Sequence, residues 1–597
     1  MKKINKLLLI AIIAFGALFN SCDTTVLNDL ASPNALSTDK ADPDLLLNSI
    51  QLAYRTNQRS FQANSAQLAR IEYMFGRNYF NNFGGGTLNG VWTNVYTTMI
   101  TNGKAIEEID ANSEDKDLSY HIAVYKTLTA HSLMQLVDWL GDIPLSEAGN
   151  PSEFPKPKVD DDAAVYAKAI AMLDEAKVLF ENTAGIGTGT DFYYDGDATK
   201  WIKLVNTLKM RSNLTLGNYP EVINATNLIS TSDDDFQFNY GTNQLTPDTR
   251  HPDYSGDYTD SGAGGYQSNW LMSQMVGPLG DFSASTDPRR RYYFYRQTWR
   301  SPGNYDLYRD VDGAFGPAGA VYQSSGNPNG ETLSCSLETI PTHLEFTPDE
   351  DRWCSLPMGY WGRLHGNDQG TPPDEFVRTA YGVYPAGGSF DGRRDARFYE
   401  GGSLEPLTQS VGLGKGGGGA GIDPIYLSSY VDFMKAEAYL AVGGQETMAA
   451  THFKAGITKS INKVVGFSSL DAQADLSEAP TAADISDFIA DRVNEFNNAG
   501  NKTSTDGNGF PTTKDKMDLL GEQYFIAMFG GAGDAFNFIR RTGYPRTLAR
   551  SIDPNPGSFP RTVLYPSGEI SSNQNISQKA NLNTRVFWDS GVTNPAN

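Results

Sequence analysis

The chain has 597 residues, 70 of them Asp or Glu against 48 Lys or Arg, for a formal charge of −22 at pH 7. Such an acidic balance excludes a nucleic-acid binder, whose footprint is a basic face. The length allows a large core and more than one domain, and 59 glycines with 30 prolines imply many irregular loops.

The first element is an address. Lys2, Lys3 and Lys6 precede the apolar run "LLLIAIIAFGALF" at 7–19, which ends on Asn20-Ser21-Cys22. This is the three-part layout of an export leader, and the run is shorter than the roughly 20 apolar residues a membrane-spanning helix needs. A small residue directly before a cysteine, as in bacterial lipoproteins, predicts cleavage after residue 21 and lipid on the sulfur and amine of Cys22. Each buried methylene contributes ~0.8 kcal/mol, so several acyl chains hold a soluble body on a membrane. Residues 22–42, with Asn34, Ser37 and Asp42, read as the lipidated N-terminus and a polar tether.

Helical spacing begins next. "DLLLNSIQLAYR" clusters Leu46, Leu47, Ile50 and Tyr54, and "VWTNVYTTMITNGKAIEEI" places Trp92, Val95, Tyr96, Met99 and Ile106 on one stripe. Further stripes run through Ile122, Tyr125, Leu128, Leu133, Leu136 and Leu140, then Val165, Ala169, Met172, Leu173, Ala176 and Leu179, then Trp201, Leu204, Val205, Leu208 and Leu214. From 221 to about 421 Gly, Asp, Asn and Tyr dominate. Helices return near Pro424 with "IYLSSYVDFMKAEAYLAVGG", stopping on Gly443-Gly444, and continue through "TMAATHFKAGITKSINKV", "ISDFIADRVNEF" and "MDLLGEQYFIAMFG". The pattern predicts repeat-like helical hairpins at about 43–220 and 422–530, bracketing an irregular lobe at about 221–421 and 531–597, in one domain over 43–597.

No arrangement of catalytic groups is readable. There is no His-Glu-x-x-His, Gly-x-Ser-x-Gly or Cys-x-x-Cys, and the six histidines are scattered. His121 and His131, ten residues apart, do not share the face a metal pair needs and read as partly buried packing residues. "GLGKGGGG" matches Gly-x-Gly-x-x-Gly at Gly412, Gly414 and Gly417, but no helix N-terminus follows closely enough to hold a phosphate, so it reads as a flexible loop. The acidic runs at 160–162 and 233–235 lack the spaced ligands of a calcium loop and read as solvated surface. Cys335 and Cys354 either close a loop of about twenty residues, worth ~3 kcal/mol, or stay as buried thiols. No cofactor or metal is implied.

Aromatic residues among glycines and asparagines are the candidate binding groups: Tyr79, Phe80 and Phe83 in "GRNYFNNFGGGTLNGVW", and Trp270, Trp299, Tyr305, Tyr308, Trp353, Tyr360 and Trp361 in the irregular middle. A flat ring offers an apolar face to the C–H face of a sugar or to a peptide side chain, while neighbouring Asn and Asp bond hydroxyls. Trp92 sits on a helical stripe and reads as core.

Cys22, the "VWTNVYTTMITNGKAIEEI" helix, "VDWLGDIPLSEA" at 137–148, "YAKAIAMLDEA" at 166–176 and "KWIKLVNTLKMRSNL" at 200–214 come in an order similar to that of the SusD/RagB family of outer-membrane lipoproteins. "DPRRR" at 287–291, "FMKAEAYLA" at 433–441, "FIRRTGYP" at 538–545 and "RTVLYP" at 561–566 continue the resemblance. It implies a mostly α fold, with tetratricopeptide-like helical hairpins supporting a large irregular loop-rich lobe. It also implies a non-catalytic surface protein that captures oligosaccharide, or in some branches peptide, for a TonB-dependent SusC-type transporter. The acidic stretch that often follows the lipid cysteine is incomplete here, where Asp23 precedes Thr24 and Thr25. A lipoprotein glycoside hydrolase and a purely structural transporter subunit are the alternatives from other classes.

Overall fold

The computed structural model describes residues 41–276, 286–297, 341–345, 359–368, 378–393 and 411–597, with gaps at 77, 114, 115 and 188 and a few further positions between 347 and 375. Cys22 with its leader and tether, Cys335, Cys354, Trp299, Tyr305, Tyr308 and Trp353 lie outside the described residues.

The fold is mostly α. The long helices are α1 (Pro43–Leu68), α2 (Thr101–Ala111), α3 (Ser119–Leu140), α4 (Asp162–Asn182), α5 (Ala198–Thr215), α6 (Ser428–Val442), α7 (Glu446–Gly466), α8 (Ala482–Asn498) and α9 (Lys516–Ala527). Asp42 starts α1 by accepting from Asp44 N at 2.9 Å, with Pro43 in the first turn. Asp161 and Asp197 start α4 and α5 in the same way, satisfying amides that have no partner within the helix. Helices α3 with α4, and α6 with α7, pack as tetratricopeptide-like hairpins, and α1 lies along α3. Trp92, His121 and His131 are buried, as expected.

The expected helix over "VWTNVYTTMITNGKAIEEI" is present but not uniform. It runs from Asn89–Thr93 through a π-helical segment, Asn94–Ile100, into α2. Within the π segment Tyr96 turns its hydroxyl to Pro144 O at 2.7 Å, and Thr101 Oγ1 donates to the Tyr96 carbonyl at 3.2 Å.

Among the described residues, three two-stranded sheets complete the frame. β1 (Phe236–Asn239) pairs antiparallel with β6 (Ile422–Tyr426), β2 (Gln267–Ser268) pairs parallel with β4 (Gly362–Arg363), and β3 (Phe294–Tyr295) pairs antiparallel with β5 (Ala380–Tyr381). Residues 422–426 are thus strand, and the helix expected from Pro424 begins at Ser428. Beside the main core a small second one forms around Tyr254, Tyr258, Ala380 and Ala386.

Two expectations are corrected here. The second half of "GLGKGGGG", Gly416 to Gly419, is a packed wedge and not a flexible loop, while 412–415 are half-buried to exposed: Gly417 N and Gly419 N donate to Gly388 O and Gly387 O, both at 3.0 Å, and His251 N donates to Gly419 O at 2.9 Å. A Cβ at Gly416 would stand 2.1 Å from Gly388 O, so the chain comes this close because no side chain intervenes. The acidic run at 233–235 is also not solvated throughout. Asp234 and Asp235 are buried, bonded at 2.6 Å to Lys203 and Lys463 respectively. The run at 160–162 lies at the start of α4 and is half-buried to exposed.

Candidate functional site

Helix α1 ends where Arg70 adopts φ 61°, a left-handed conformation fixed by its own buried guanidinium. Arg70 donates to Leu68 O at 2.6 Å, Ala549 O at 3.0 Å and the Tyr79 hydroxyl at 3.0 Å. The chain then bends at 71–72 and runs on without regular secondary structure to 75. Ile71 and Met74 go into the core, Glu72 and Tyr73 are half-buried, and Phe75 is 55% exposed. The Met74 carbonyl accepts from Gly366 N at 3.0 Å, which ties this edge to the segment after β4. Asn78 then caps the one-turn helix Tyr79–Asn82 through Phe80 N at 2.8 Å. Capping leaves Tyr79 inward and Phe80 outward, the latter 46% exposed.

Tyr266, just before β2, meets Tyr73 edge-to-face with ring centroids 5.9 Å apart. The guanidinium carbons of Arg363 and Arg378 lie 3.9 and 4.1 Å from the Tyr266 ring centre, and Arg363 also donates to its hydroxyl at 3.0 Å. The Tyr73 hydroxyl donates to Asn367 O. On the other side, Tyr381 of β5 stacks on Phe529 at 5.4 Å and places its hydroxyl 3.3 Å from Glu72 Oε1. Tyr73 and Tyr266 thus meet as half-buried rings with Asp368 near Tyr73, Phe75 is exposed two residues further along the chain, and Phe80 is exposed on the one-turn helix that follows.

A charged cluster lies close to Glu72. Arg59 of α1 donates to both Asp253 oxygens, at 2.7 and 3.1 Å, and to Asp423 Oδ1 at 3.1 Å. Despite their burial, this guanidinium holds both carboxyls below the usual range. Glu72 and Asp257 are the opposite case. Burial pushes each up to about 7, helped by the nearby Asp253 charge.

Of the rings singled out from sequence that lie among the described residues, Phe80 is exposed. Tyr79, Phe83, Trp270, Tyr360 and Trp361 are interior, each no more than 2% exposed. Tyr79 packs edge-on to Phe559 at 5.7 Å and bonds His365 Nε2 at 3.0 Å. Trp270 donates to Thr547 O at 2.8 Å, and the Tyr360 hydroxyl accepts from Arg290 at 2.9 Å. Polar tips thus find partners inside, which lets large rings be buried whole. Sequence reasoning missed Tyr73, Phe75 and Tyr266; "RIEYMF" keeps neither a strand nor a helix period, with Ile71 and Met74 buried and Phe75 exposed, so no local pattern marks its outward ring.

The frame is thus one of helical hairpins, with irregular segments that carry exposed rings. A family model described as starch-binding associating with outer membrane matches residues 33–326, and one described as Susd and RagB outer membrane lipoprotein matches 423–589. The chain belongs to the SusD/RagB family. Its fold is similar to that of a SusD/RagB family protein from Bacteroides thetaiotaomicron, at TM-score 0.60 and 16% identity, over 92% of this chain and 99% of that one. It is also similar to a chitin-binding SusD homolog from Flavobacterium johnsoniae, at TM-score 0.54 and 16% identity, over 92% and 99% of the two chains. A SusD homolog from Bacteroides uniformis gives TM-score 0.54 and 16% identity over 91% and 99%. No curated protein matches the chain. Among the described residues no helix is long and apolar enough to cross a membrane.

Proposed function

We propose that this protein is a lipid-anchored, non-catalytic glycan-binding protein of the cell surface, which captures oligosaccharide and passes it to a SusC-type TonB-dependent transporter. The observation that carries the reading is the exposure of Phe75 and Phe80 on the short segment that also carries Glu72 and the Tyr73 ring packed on Tyr266. Rings stack on the C–H faces of sugars while carboxyls accept from hydroxyls. Membership of a family described as starch-binding supports a saccharide, and the chitin-binding homolog from Flavobacterium johnsoniae makes chito-oligosaccharides a sensible part of any panel. The export leader ending at Cys22 supports the anchor.

Binding rather than hydrolysis is favoured by the state of the acids. Glu72 and Asp253 are pushed apart as a glycosidase pair would be, yet both Asp253 oxygens are taken by Arg59, so that carboxylate is not available to attack or to activate water. Calorimetry of the purified body against uncharged glucans, chito-oligosaccharides and peptide mixtures tests the reading. Saccharide binding lost in Phe75→Ala/Phe80→Ala supports it. Peptide binding alone would move it to peptide capture, and release of reducing ends would overturn it.

A further inference from the structure

We propose that Glu72 couples ligand capture at these rings to the uptake of a proton. The inference rests on the glycan-binding reading and adds to it a regulation of the same site.

The geometry is a cluster of acids sharing one committed cation. Glu72, half-buried and next to Tyr73 in the chain, has Oε1 3.3 Å from the Tyr381 hydroxyl. The backbone of the same tyrosine donates to Asp257 Oδ2 at 2.8 Å, so Tyr381 stands between two carboxyls. Asp253, on the same short helix as Asp257, adds a third negative charge. Arg59, from α1, is the cation that acts on Glu72, and it is already bonded to Asp253 and Asp423. The groups acting on Glu72 are therefore Asp253 from the helix Pro252–Asp257, Arg59 from α1 and Tyr381 from β5, while Asp257 of the same helix faces Tyr381. Burial and Asp253 raise the Glu72 carboxyl to about 7, against the opposing effects of Arg59 and Tyr381. An uncharged ligand laid over Tyr73 and Phe75 removes more water from this carboxyl. Desolvation disfavours the charged form, so the liganded protein holds the proton more tightly than the free protein. By linkage, affinity is greatest below pH about 6 and falls as pH rises through about 7.

The test has a ligand-free arm and a ligand arm. Difference potentiometric titration of wild type against Glu72→Gln should show one extra proton leaving wild type between about pH 6 and 8; a proton gone by pH 5 overturns the proposal whatever binds. Calorimetry with maltohexaose and chitohexaose, in two buffers of different ionisation enthalpy, should show proton uptake on binding. Affinity for the hexamer that binds should be several-fold to about tenfold tighter at pH 5.5 than at pH 8, for wild type but not for Glu72→Gln. Tyr381→Phe, which removes the hydroxyl and keeps the ring, should move the inflection to higher pH. Equal affinity at both pH values sinks the proton coupling and leaves the glycan reading intact. Pooled failure of every glycan to bind, with the Glu72 titration present, sinks both. A pH dependence abolished by Asp257→Asn and kept by Glu72→Gln overturns the assignment to Glu72.

Discussion

Arg211 of α5 reaches Asp138 of α3 and Asp534, just before the helix Ala535–Thr542, with Nη2 2.6 Å from an oxygen of each. One guanidinium thus joins the first helical group to the segment after α9 inside the core. Removing it leaves two buried carboxylates without their cation. Arg211→Met should destabilise by about 3–5 kcal/mol at pH 7, read by urea unfolding. Asp534 is held below the usual carboxylate range despite burial, with Arg211 the largest favourable cause. Its contribution is therefore present above the unfolded value and is lost as pH falls through the folded one. The penalty of Arg211→Met should accordingly shrink at pH 4, where the orphaned Asp534 carboxyl takes up a proton.

His131 gives a second pH dependence. Its ring bonds the Tyr54 hydroxyl at 2.7 Å and the Tyr426 hydroxyl at 3.3 Å, and burial lowers it to about 3. The unfolded chain then binds the extra proton below its ordinary value of roughly 6.5, so stability falls as pH drops from there toward about 3. His131→Gln should flatten the slope of unfolding free energy between pH 6.5 and 4, whatever its effect at neutral pH. An unchanged slope would refute this role.

The rings divide into two classes that calorimetry separates. Phe75→Ala and Phe80→Ala should leave the melting temperature nearly unchanged and weaken saccharide binding by about 0.5–1.5 kcal/mol each. Trp270→Ala should cost about 3–5 kcal/mol of stability, as expected for a large interior side chain.

The glycine wedge predicts position-specific damage. At Gly421 an added Cβ would meet Pro385 O at 2.2 Å, and at Gly416 the φ of +64° adds backbone strain to the 2.1 Å approach. Gly416→Ala and Gly421→Ala should each destabilise by about 1–3 kcal/mol. Gly412→Ala, with its nearest neighbour at 3.8 Å, should fall within about 0.5 kcal/mol of wild type in chemical unfolding.

The helical frame was legible because stripes such as Val165, Ala169, Leu173 and Ala176 keep one period over several turns, and every one of these residues is buried. The second half of α1 was not legible. It buries Asn57, Gln58, Gln62 and Ser65, and Gln58 exchanges amide bonds with Gln135 at 2.7 and 3.1 Å, so its inner face is polar. The exposed rings were legible only in part. Composition locates aromatic residues among glycines, but whether Tyr79 or Phe80 turns outward depends on the Asn78 cap and on Arg70, whose partner Ala549 is 479 residues away. The glycine wedge misled for a similar reason: the residues that need it small, Pro385 and Gly388, are distant in sequence.

The β1–β6 pair clamps both ends of the stretch from 240 to 421, with Asn239 opposite Ile422. A closed stem of this kind keeps the two ends of the intervening chain together whatever the length of the loops inside it. Each doubling of a flexible loop costs only about 0.6 kcal/mol in closure entropy, so loops within the stem can change length at little cost, whereas the residues there that sit in the main core, such as Trp270 and Tyr293, hold their segments to the helical frame.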